Sequence, residues 1–354
     1  EQDDTMIIAW ELGLVPRGLA SGNGLKELAR DVLEVKPTSL KDIGWSKKTG
    51  FDRVDPTILR SYAIADARNT FELYQKLEPQ MPDRVRGVYE SIDRPLVPHI
   101  VAMERRGMPV DPEAVEKWYW RLNDECERMA ERISWAGSPE KTADMLFDKL
   151  GLDPLKVTDA GHLSVDKNVL REYGDVEVVK LLLAWRSKSK LKSTYVEPLR
   201  GKEWVHATYN IHGAGTGRLS CSDPNMQNFP WEMMDLFKAP EGMVFVTVDA
   251  SQLELRVQAA VAQDTRMMEV FRSNGDIHDA TRQALGLPND AKSRTRAKVW
   301  NFSILYGAED RSISELTGEP IDRVAVLARR IRQAYPDVIQ WQHNQMRFAA
   351  ENGY

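Results

Sequence analysis

Four side chains spaced by four residues share one face of a predicted helix. Arg294, Lys298, Phe302 and Tyr306 lie in the segment RTRAKVWNFSILYG, which ends at Gly307. On a helix of 3.6 residues per turn, each step of four rotates the side chain by only about 40°, so the four form one slowly turning stripe. Two cations followed by two aromatic rings fit a nucleoside triphosphate, whose phosphates would meet the cations. The alternative is a solvated basic turn that leads into a buried apolar turn.

A second candidate site is the carboxylate that ends an apolar stretch. MVFVTVD is rich in β-branched residues and predicts a strand that ends at Asp249, with a helix directly after it. A carboxylate in that position is a common ligand of Mg²⁺, which prefers hard oxygen ligands and keeps positions open for phosphate. The alternative is that Asp249 caps the following helix, with Gln252 as its partner in a capping box.

Length, composition and charge limit the frame that carries these residues. The chain has 354 residues, of which 42% are hydrophobic and 29% are charged, and its net charge is −5. The length suggests two or three domains, and the net charge gives no general sign of a nucleic-acid partner, so basic surfaces have to be local. Two distant cysteines predict neither a disulfide framework nor a zinc motif and suit a reducing cytoplasm. The longest apolar run falls well short of the about 18 residues that a membrane span needs.

The order of predicted elements favours an α+β fold that is rich in helix. Helical patterns dominate up to about residue 200 and again from residue 276, and strand-like segments lie between them, in WVHATYNIHG and MVFVTVD. The clearest boundary signals are helix starts at Asp55-Pro56 and Asp111-Pro112 and a helix end at Gly107.

Both candidate sites lie in sequences that resemble one family. DASQLELR is similar to motif A of the family A DNA polymerases, and RTRAKVWNFSILYG is similar to their motif B, the O-helix of the fingers. Further similar segments follow in the family's order along nearly the whole chain: YAIADARNTFELY of the 3′–5′ exonuclease domain, RPLVPHIVAMERRGMPVD and WRSKSKLKSTY of the thumb, TGRLSCSDPNMQNFP, which touches the primer-template duplex, and GDIHDAT, which carries a phosphate-contacting His.

The resemblance implies a right-hand polymerase architecture and a function. The implied parts are the C-terminal portion of an RNase H-like 3′–5′ exonuclease domain at 1–85, the thumb at 86–203, the first part of the palm at 204–260 and the fingers at 261–354. The implied reaction is template-directed addition of a dNTP to a primer 3′-hydroxyl by two-metal phosphoryl transfer. Two alternatives are a non-catalytic module that binds primer-template and dNTP, and a remnant 3′–5′ exonuclease.

The family's catalytic and nucleotide-binding roles carry over to matching positions. Asp249 is implied as a ligand of two Mg²⁺ ions, with Mn²⁺ as a possible substitute, and the Ala250 carbonyl as a backbone ligand of one. Lys298 is implied to protonate the departing pyrophosphate as well as to bind the triphosphate. The implied dNTP-binding residues are Gln252, Glu254, His278, Arg294, Lys298, Phe302 and Tyr306.

Three of these residues bear on the choice of sugar. The resemblance implies that Glu254 pairs with Tyr306 and blocks the 2′-hydroxyl of a ribonucleotide. The alternative for Glu254 is an ordinary exposed helix carboxylate. Phe302 lies where the family senses the sugar, and a Phe there implies poor acceptance of chain terminators that lack the 3′-hydroxyl.

Two further groups of residues are expected to contact DNA. One set would check base-pair shape in the minor groove, because purine N3 and pyrimidine O2 are acceptors in either pair. The alternative for that set is a polar loop of ordinary turn composition. The other set would clamp phosphates, with binding that weakens as salt rises. The minor-groove set is Arg218, Asn225, Gln227 and Asn228, and the phosphate set is Lys188, Lys190 and Lys192.

The sequence departs from the family in small and large ways. Ala250 replaces the usual aromatic residue of motif A, and Ser303 the usual Gly of motif B, which affects fine selectivity only. No His-Asp-Glu motif occurs, so the second metal-binding carboxylate of the palm is lacking. We therefore expect a fragment or the N-terminal part of a split gene, inactive alone, whose palm is completed by a missing segment or a second polypeptide.

The exonuclease part is also incomplete. Tyr62 and Asp66 fit the family's Tyr-x-x-x-Asp motif, in which Asp binds metal and Tyr positions the attacking water. The three other metal-binding carboxylates would precede residue 1. With one carboxylate of four, we expect no proofreading from this chain alone. A cytoplasmic location in a bacterial or phage-infected cell is expected, and an organelle is also compatible.

Overall fold

The computed structural model describes residues 3–14, 24–46 and 48–352. They divide into two units, with the boundary between Phe245 and Val246. The domain boundaries expected at 85, 203 and 260 stay predictions, and the observed division falls inside the expected palm segment. None of the described helices is long and apolar enough to cross a membrane.

The first unit is mostly helical. Its α-helices are α1 (Thr5–Glu11), α2 (Leu25–Leu33), α3 (Pro56–Leu77), α4 (Asp83–Val88), α5 (Arg94–Arg106), α6 (Pro112–Ala130), α7 (Pro139–Ala143), α8 (Lys167–Glu172) and α9 (Glu177–Leu191). Shorter 3₁₀ segments are Glu78–Gln80, Glu197–Leu199, Met226–Asn228 and Trp231–Leu236, and π-helical turns are Tyr89–Asp93, Asp144–Lys149 and Lys192–Val196.

The strands of the first unit form two small antiparallel pairs. They are β1 (Met108–Pro109), β2 (Trp204–Val205), β3 (Thr208–Asn210) and β4 (Ser220–Ser222). β1 pairs with β2, and β3 pairs with β4 with Tyr209 opposite Cys221. The strand-like character predicted for WVHATYNIHG is therefore confirmed in two short pieces.

The helix boundaries that the sequence predicted follow from local chemistry. Asp55 accepts hydrogen bonds from the backbone of Thr57 and Ile58, and Asp111 caps α6 in the same way. Gly107 ends α5 with a φ of +70°, and a Cβ there would lie 2.7 Å from the His206 ring. That position therefore requires glycine for both conformation and space.

Among the residues that the structure describes, three hydrophobic clusters lie in the first unit. Ile8 of α1, Leu73 of α3 and Ile100 of α5 belong to the first. The second joins α6 to the segments around Val196 and Leu236, and the third includes Ile133, Leu146, Leu170 and Leu182. The described part of this unit therefore packs in several small cores.

The second unit is built around one core. Its helices are α10 (Leu253–Ala262), α11 (Thr265–Arg272), α12 (Ile277–Ala284), α13 (Ala291–Leu305), α14 (Asp310–Thr317), α15 (Ile321–Ala334) and α16 (Pro336–Asn352). Trp300 and Ile304 of α13 are buried against residues such as Leu255 of α10 and Ile331 of α15. One face of α13 is thereby fixed in the core, and the opposite face can carry function.

The strand predicted at MVFVTVD is absent, which corrects the sequence-based expectation. Residues 243–249 form no strand, and no segment within 3–14, 24–46 or 48–352 pairs with them. Val244 and Val248 are 82% and 89% exposed. A strand needs the backbone groups of a neighbour, and β-propensity alone does not supply them. Asp249 therefore ends an exposed segment without regular secondary structure and not a buried strand.

Candidate functional site

Helix α13 presents the predicted stripe on its outer face. Asp290 starts the helix by accepting a hydrogen bond of 2.7 Å from the Ser293 amide. Arg294 and Lys298 are exposed, Phe302 is half-buried, and Tyr306 is 65% exposed. The structure thus places the two cations and the two rings together, on the side of α13 away from its buried Trp300.

The C-terminal end of α13 is fixed by backbone and side-chain hydrogen bonds. Gly307 has a φ of +77°, its amide donates to the Ile304 carbonyl at 2.9 Å, and the Ala308 amide donates to the Ser303 carbonyl at 2.8 Å. This is the Schellman arrangement, which requires a residue that tolerates positive φ. The side-chain amides of Gln258 and Gln342 also donate to the Leu305 carbonyl, at 2.7 and 2.6 Å.

The aromatic end of the stripe consists of three neighbouring rings. Phe302 and Tyr306 are stacked, with ring centroids 6.0 Å apart and planes 23° apart. The His278 ring lies 5.9 Å from Phe302. The Tyr306 hydroxyl donates a hydrogen bond to Oε2 of Glu254, on the first turn of α10. Glu254 is therefore exposed but has a specific partner, and its role in sugar selection stays a prediction.

Asp276, which sequence reasoning did not single out, organises the charged end. Its Oδ1 accepts hydrogen bonds from the His278 amide at 2.8 Å and from Nε2 of Gln252 at 3.2 Å. Its Oδ2 accepts from Nε of Arg294 at 2.7 Å. The signal available in the sequence was the position of Asp276 as the N-cap of α12, two residues before His278.

Gln252 does not have the capping role that one sequence interpretation gave it, and its expected role in dNTP binding stays a prediction. It precedes α10 with a φ of +55°, and the helix begins at Leu253 without a side-chain cap. The alternative in which Asp249 caps the helix with Gln252 as its partner is therefore wrong. Gln252 instead reaches Asp276, which brings it beside Arg294.

Burial and charge set the protonation of this cluster. Burial favours the protonated form of the Asp276 carboxyl, but the hydrogen bonds from Arg294 and the His278 amide outweigh burial and hold its pKa below the usual range. Burial lowers the pKa of His278, and the charges of Arg294 and Lys298 lower it further, against an opposing effect of Asp276. At neutral pH the carboxylate is ionised and the imidazole is neutral.

A buried network fixes the His278 ring. The Thr281 hydroxyl donates to Oδ1 of Asn301 at 2.7 Å and contacts the Tyr335 hydroxyl at 2.8 Å. Nδ2 of Asn301 lies 3.0 Å from Nδ1 of His278. An amide nitrogen can only donate, so Nδ1 accepts and the ring hydrogen of the neutral imidazole is on Nε2. His278 can therefore offer a hydrogen bond to an anion.

The predicted phosphate-clamping lysines do not form one row. Nζ of Lys188 pairs with Glu125 at 2.8 Å, and Nζ of Lys192 donates to Asn123 at 3.0 Å. Lys190 is exposed. A step of two residues on a helix turns by about 200°, so Lys190 faces away from the other two. Their role in DNA binding stays a prediction, but the structure divides the set.

The predicted minor-groove residues lie around β4 and the 3₁₀ turn that follows. Arg218, Gln227 and Asn228 are exposed. Oδ1 of Asn225 accepts a hydrogen bond of 3.1 Å from the Gln227 amide and caps the turn. The turn-forming alternative therefore holds for Asn225, and DNA contact by the set stays a prediction.

The exonuclease-like pair lies on α3 and is closed by a cation of the same chain. Nζ of Lys26, on α2, forms an ion pair with Asp66. The same ammonium lies 4.2 Å from the centre of the Tyr62 ring. Residues 3–14, 24–46 and 48–352 contain no cluster of three or more His, Cys, Asp or Glu side chains that could hold a metal. Neither Asp66 nor Asp249 therefore has, among those residues, the set of carboxylates that a two-metal site requires.

Comparisons with known proteins identify the family. The sequence model of DNA polymerase family A matches residues 113–354. DNA polymerase I of Rhizobium leguminosarum is 30% identical over 381 residues, which cover 99% of this chain and 37% of that protein. DNA polymerase I of Pseudomonas aeruginosa is 32% identical and is covered to 41%, again with 99% of this chain. The chain therefore spans about two fifths of the length of these curated relatives.

A solved structure shows the same fold. The POL domain of Pol1 from M. smegmatis, in a complex with DNA primer-template and dNTP, superposes with a TM-score of 0.76. The match covers 99% of this chain and 62% of that one at 24% identity, so it carries the fold alone. Since the family model matches well over half of the residues, the chain belongs to DNA polymerase family A.

Proposed function

We propose that this chain takes part in template-directed addition of dNTPs to a primer 3′-hydroxyl. It supplies the thumb, the first part of the palm with Asp249, and the fingers. The observation that carries this proposal is the outer face of α13, where Arg294 and His278 converge on Asp276 and two stacked rings follow. The family assignment supports it, and so does the likeness in fold to the M. smegmatis protein, which was solved in a complex with DNA primer-template and dNTP.

The charged end of the stripe would bind the triphosphate. The guanidinium of Arg294 and the ammonium of Lys298 provide charge-assisted hydrogen bonds to phosphate oxygens. Nε2–H of neutral His278 adds a donor without further charge. Lys298 is exposed and lies two turns before the C-terminal end of α13. It would give a proton to the departing pyrophosphate.

The aromatic end would meet the base and the sugar. Phe302 and Tyr306 offer ring faces for stacking, which does not depend on the identity of the base. The hydrogen bond between Tyr306 and Glu254 would block the space beside the sugar. A ribonucleotide would need that space for its 2′-hydroxyl, and breaking the hydrogen bond to admit it is unfavourable.

We propose that the metal site is completed from outside these residues. Asp249 and the Ala250 carbonyl would hold Mg²⁺, or Mn²⁺ in its place, and such an ion would stabilise the charge of the triphosphate. The exposed, unpaired apolar segment 243–249 supports this proposal, because it offers backbone groups and valine side chains to further strands. Those strands would carry the second carboxylate, on a further segment or on a second polypeptide.

Primer-template DNA is the proposed partner of the first unit. Arg218, Gln227 and Asn228 are exposed and could read the minor groove, and Lys190 is the exposed member of the lysine set. The buried thiols of Cys126 and Cys221 form no disulfide, which suits the proposed cytoplasmic location.

A reconstitution experiment tests the proposal. The purified chain is incubated with a labelled primer-template, dNTPs and Mg²⁺, with or without a polypeptide that carries the family's remaining palm hairpin. We expect extension only with that polypeptide, and none when Asp249→Asn replaces the wild-type chain. Binding of DNA and dNTP without extension under every condition would favour the non-catalytic binding module.

A further inference from the structure

We infer that Asp276 is a positioning residue that holds the two proposed phosphate ligands, His278 and Arg294, in one arrangement. The inference rests on the proposed nucleotide-binding function of α13. The negative charge of Asp276 would by itself repel a triphosphate, so its presence beside the phosphate ligands needs a structural explanation.

The explanation is that the two oxygens of Asp276 accept hydrogen bonds from different helices. Oδ1 accepts from the amides of His278, at 2.8 Å, and Asp279, at 3.4 Å, and so fixes the first turn of α12. Oδ2 accepts from the guanidinium of Arg294, on α13. One carboxylate therefore links the first turn of α12, which carries His278, to the first turn of α13, which carries Arg294.

The contact with Arg294 leaves the guanidinium able to bind an anion. Nε and Nη2 both face Oδ2, so Asp276 occupies one edge of the group. Nη1 and the second hydrogen of Nη2 remain on the outer edge, where a phosphate can be bound by two parallel hydrogen bonds. Asp276 thus restricts a long side chain before the ligand arrives, which reduces the entropy lost on binding.

His278 is fixed from both sides. Asp276 holds its backbone amide, and Asn301 holds Nδ1 of its ring. The donor at Nε2 consequently has a set direction. The cation that acts on the Asp276 carboxylate is Arg294, and its neighbour Asp279, which is paired with Arg282, adds a like charge nearby. Lys298 and Arg294 both act on the imidazole of His278.

A positioning role and a purely electrostatic role of Asp276 predict opposite changes in triphosphate affinity for the substitution Asp276→Asn. If Asp276 acted only through its charge, Asp276→Asn would strengthen triphosphate binding, because a negative charge is removed. If it positions Arg294, the same change weakens binding, because the amide nitrogen of Asn cannot accept from the guanidinium. Asn is also a good N-cap residue, so the start of α12 is preserved.

The test measures binding of dATP, without divalent metal, by isothermal titration calorimetry. We expect Asp276→Asn to weaken binding about fivefold, the order of a typical coupling between two groups. The control is Asp290→Asn, which removes the same charge from the N-cap of α13. The Asp290 carboxylate contacts Ser293 and not the side chain of Arg294, and the bond from the Arg294 amide to the Asp290 backbone carbonyl is kept in the variant. We expect the control to bind dATP as tightly as the wild-type chain or slightly more tightly.

A double-mutant cycle separates positioning from a general loss of structure. In the Arg294→Gln background, Asp276→Asn should cause no further loss of affinity. A loss that persists in that background, or a gain in the single variant, overturns the inference. Should wild-type and Arg294→Gln chains both fail to bind dATP, the proposed function fails and the inference fails with it. If Arg294→Gln weakens dATP binding but Asp276→Asn does not, the inference is overturned and the proposed function is not.

Discussion

Helices α3 and α13 each carry charged and aromatic residues one turn apart, and they differ in how the charge is partnered. On α3, the Asp66 carboxylate is paired with Lys26, whose ammonium also lies over Tyr62. On α13, Arg294 is held at one edge by Asp276, and Lys298 is exposed. The carboxylate on α3 is neutralised by a cation of the same chain, whereas the cations on α13 have hydrogen-bond donors left that a ligand could use. Spacing along a helix therefore does not distinguish the proposed binding site on α13 from the internally paired residues on α3, whereas the partners of each charge do.

The largest expected effect is a loss of dATP affinity when the two cations of the α13 stripe are removed. Replacing Arg294 and Lys298 together by Gln should weaken dATP binding by about 100-fold, since each charge-assisted hydrogen bond contributes about 1.5 kcal/mol or more. Calorimetric titration of the purified chain measures it. The matched control on the closed site is Lys26→Gln, which should leave dATP affinity unchanged. Equal losses in both variants would remove the distinction between the two helices.

A smaller effect is expected on the free energy of unfolding when the ion pair between Lys26 and Asp66 is removed. Lys26→Gln leaves the partly buried Asp66 carboxylate without its cation and should lower the free energy of unfolding by about 1 kcal/mol. Urea denaturation followed by circular dichroism measures it. Arg30→Gln, on the same helix, breaks only the exposed pair with Asp31 and should cause no measurable change. A higher free energy of unfolding in Lys26→Gln would show that the ion pair destabilises the folded chain.

The smallest expected effect is a pH dependence in the second unit. His278 is buried with a lowered pKa, so below its ordinary value of 6.5 the unfolded chain binds a proton that the folded imidazole does not. Stability should therefore fall as the pH drops below 6.5, and His278→Gln should flatten that dependence. His212, whose pKa is also lowered by burial, lies in the first unit and is unchanged in the variant. An identical pH dependence in both chains would contradict the assignment of a neutral His278.

The sequence predicted what local chemistry decides. Capping by Asp55 and Asp111 and the glycine at 107 depend on neighbouring backbone groups, and the stripe of α13 depends on helical period alone. The resemblance to the family implied roles for the residues of the α13 stripe, and those roles stay predictions. Even the division of Lys188, Lys190 and Lys192 was within reach, because a step of two residues on a helix changes the face.

What the sequence could not predict depends on distant partners. Asp276 and Arg294 are 18 residues apart, and Lys26 and Asp66 are 40 apart, so no local pattern announces either pair. The strand expected at 243–249 failed for the same reason. Its side chains have the right propensity, but a strand exists only when another strand provides hydrogen bonds.

Photo-crosslinking with 8-azido-dATP, followed by peptide mapping, tests the central claim most directly. The label reports where the base lies, without any need for turnover or for a partner chain. We predict that the adduct maps to the peptide of α13 that contains Phe302 and Tyr306, and that unmodified dATP and inorganic tripolyphosphate both compete with it. An adduct spread over the chain, or concentrated on α3 beside Tyr62, would contradict the account.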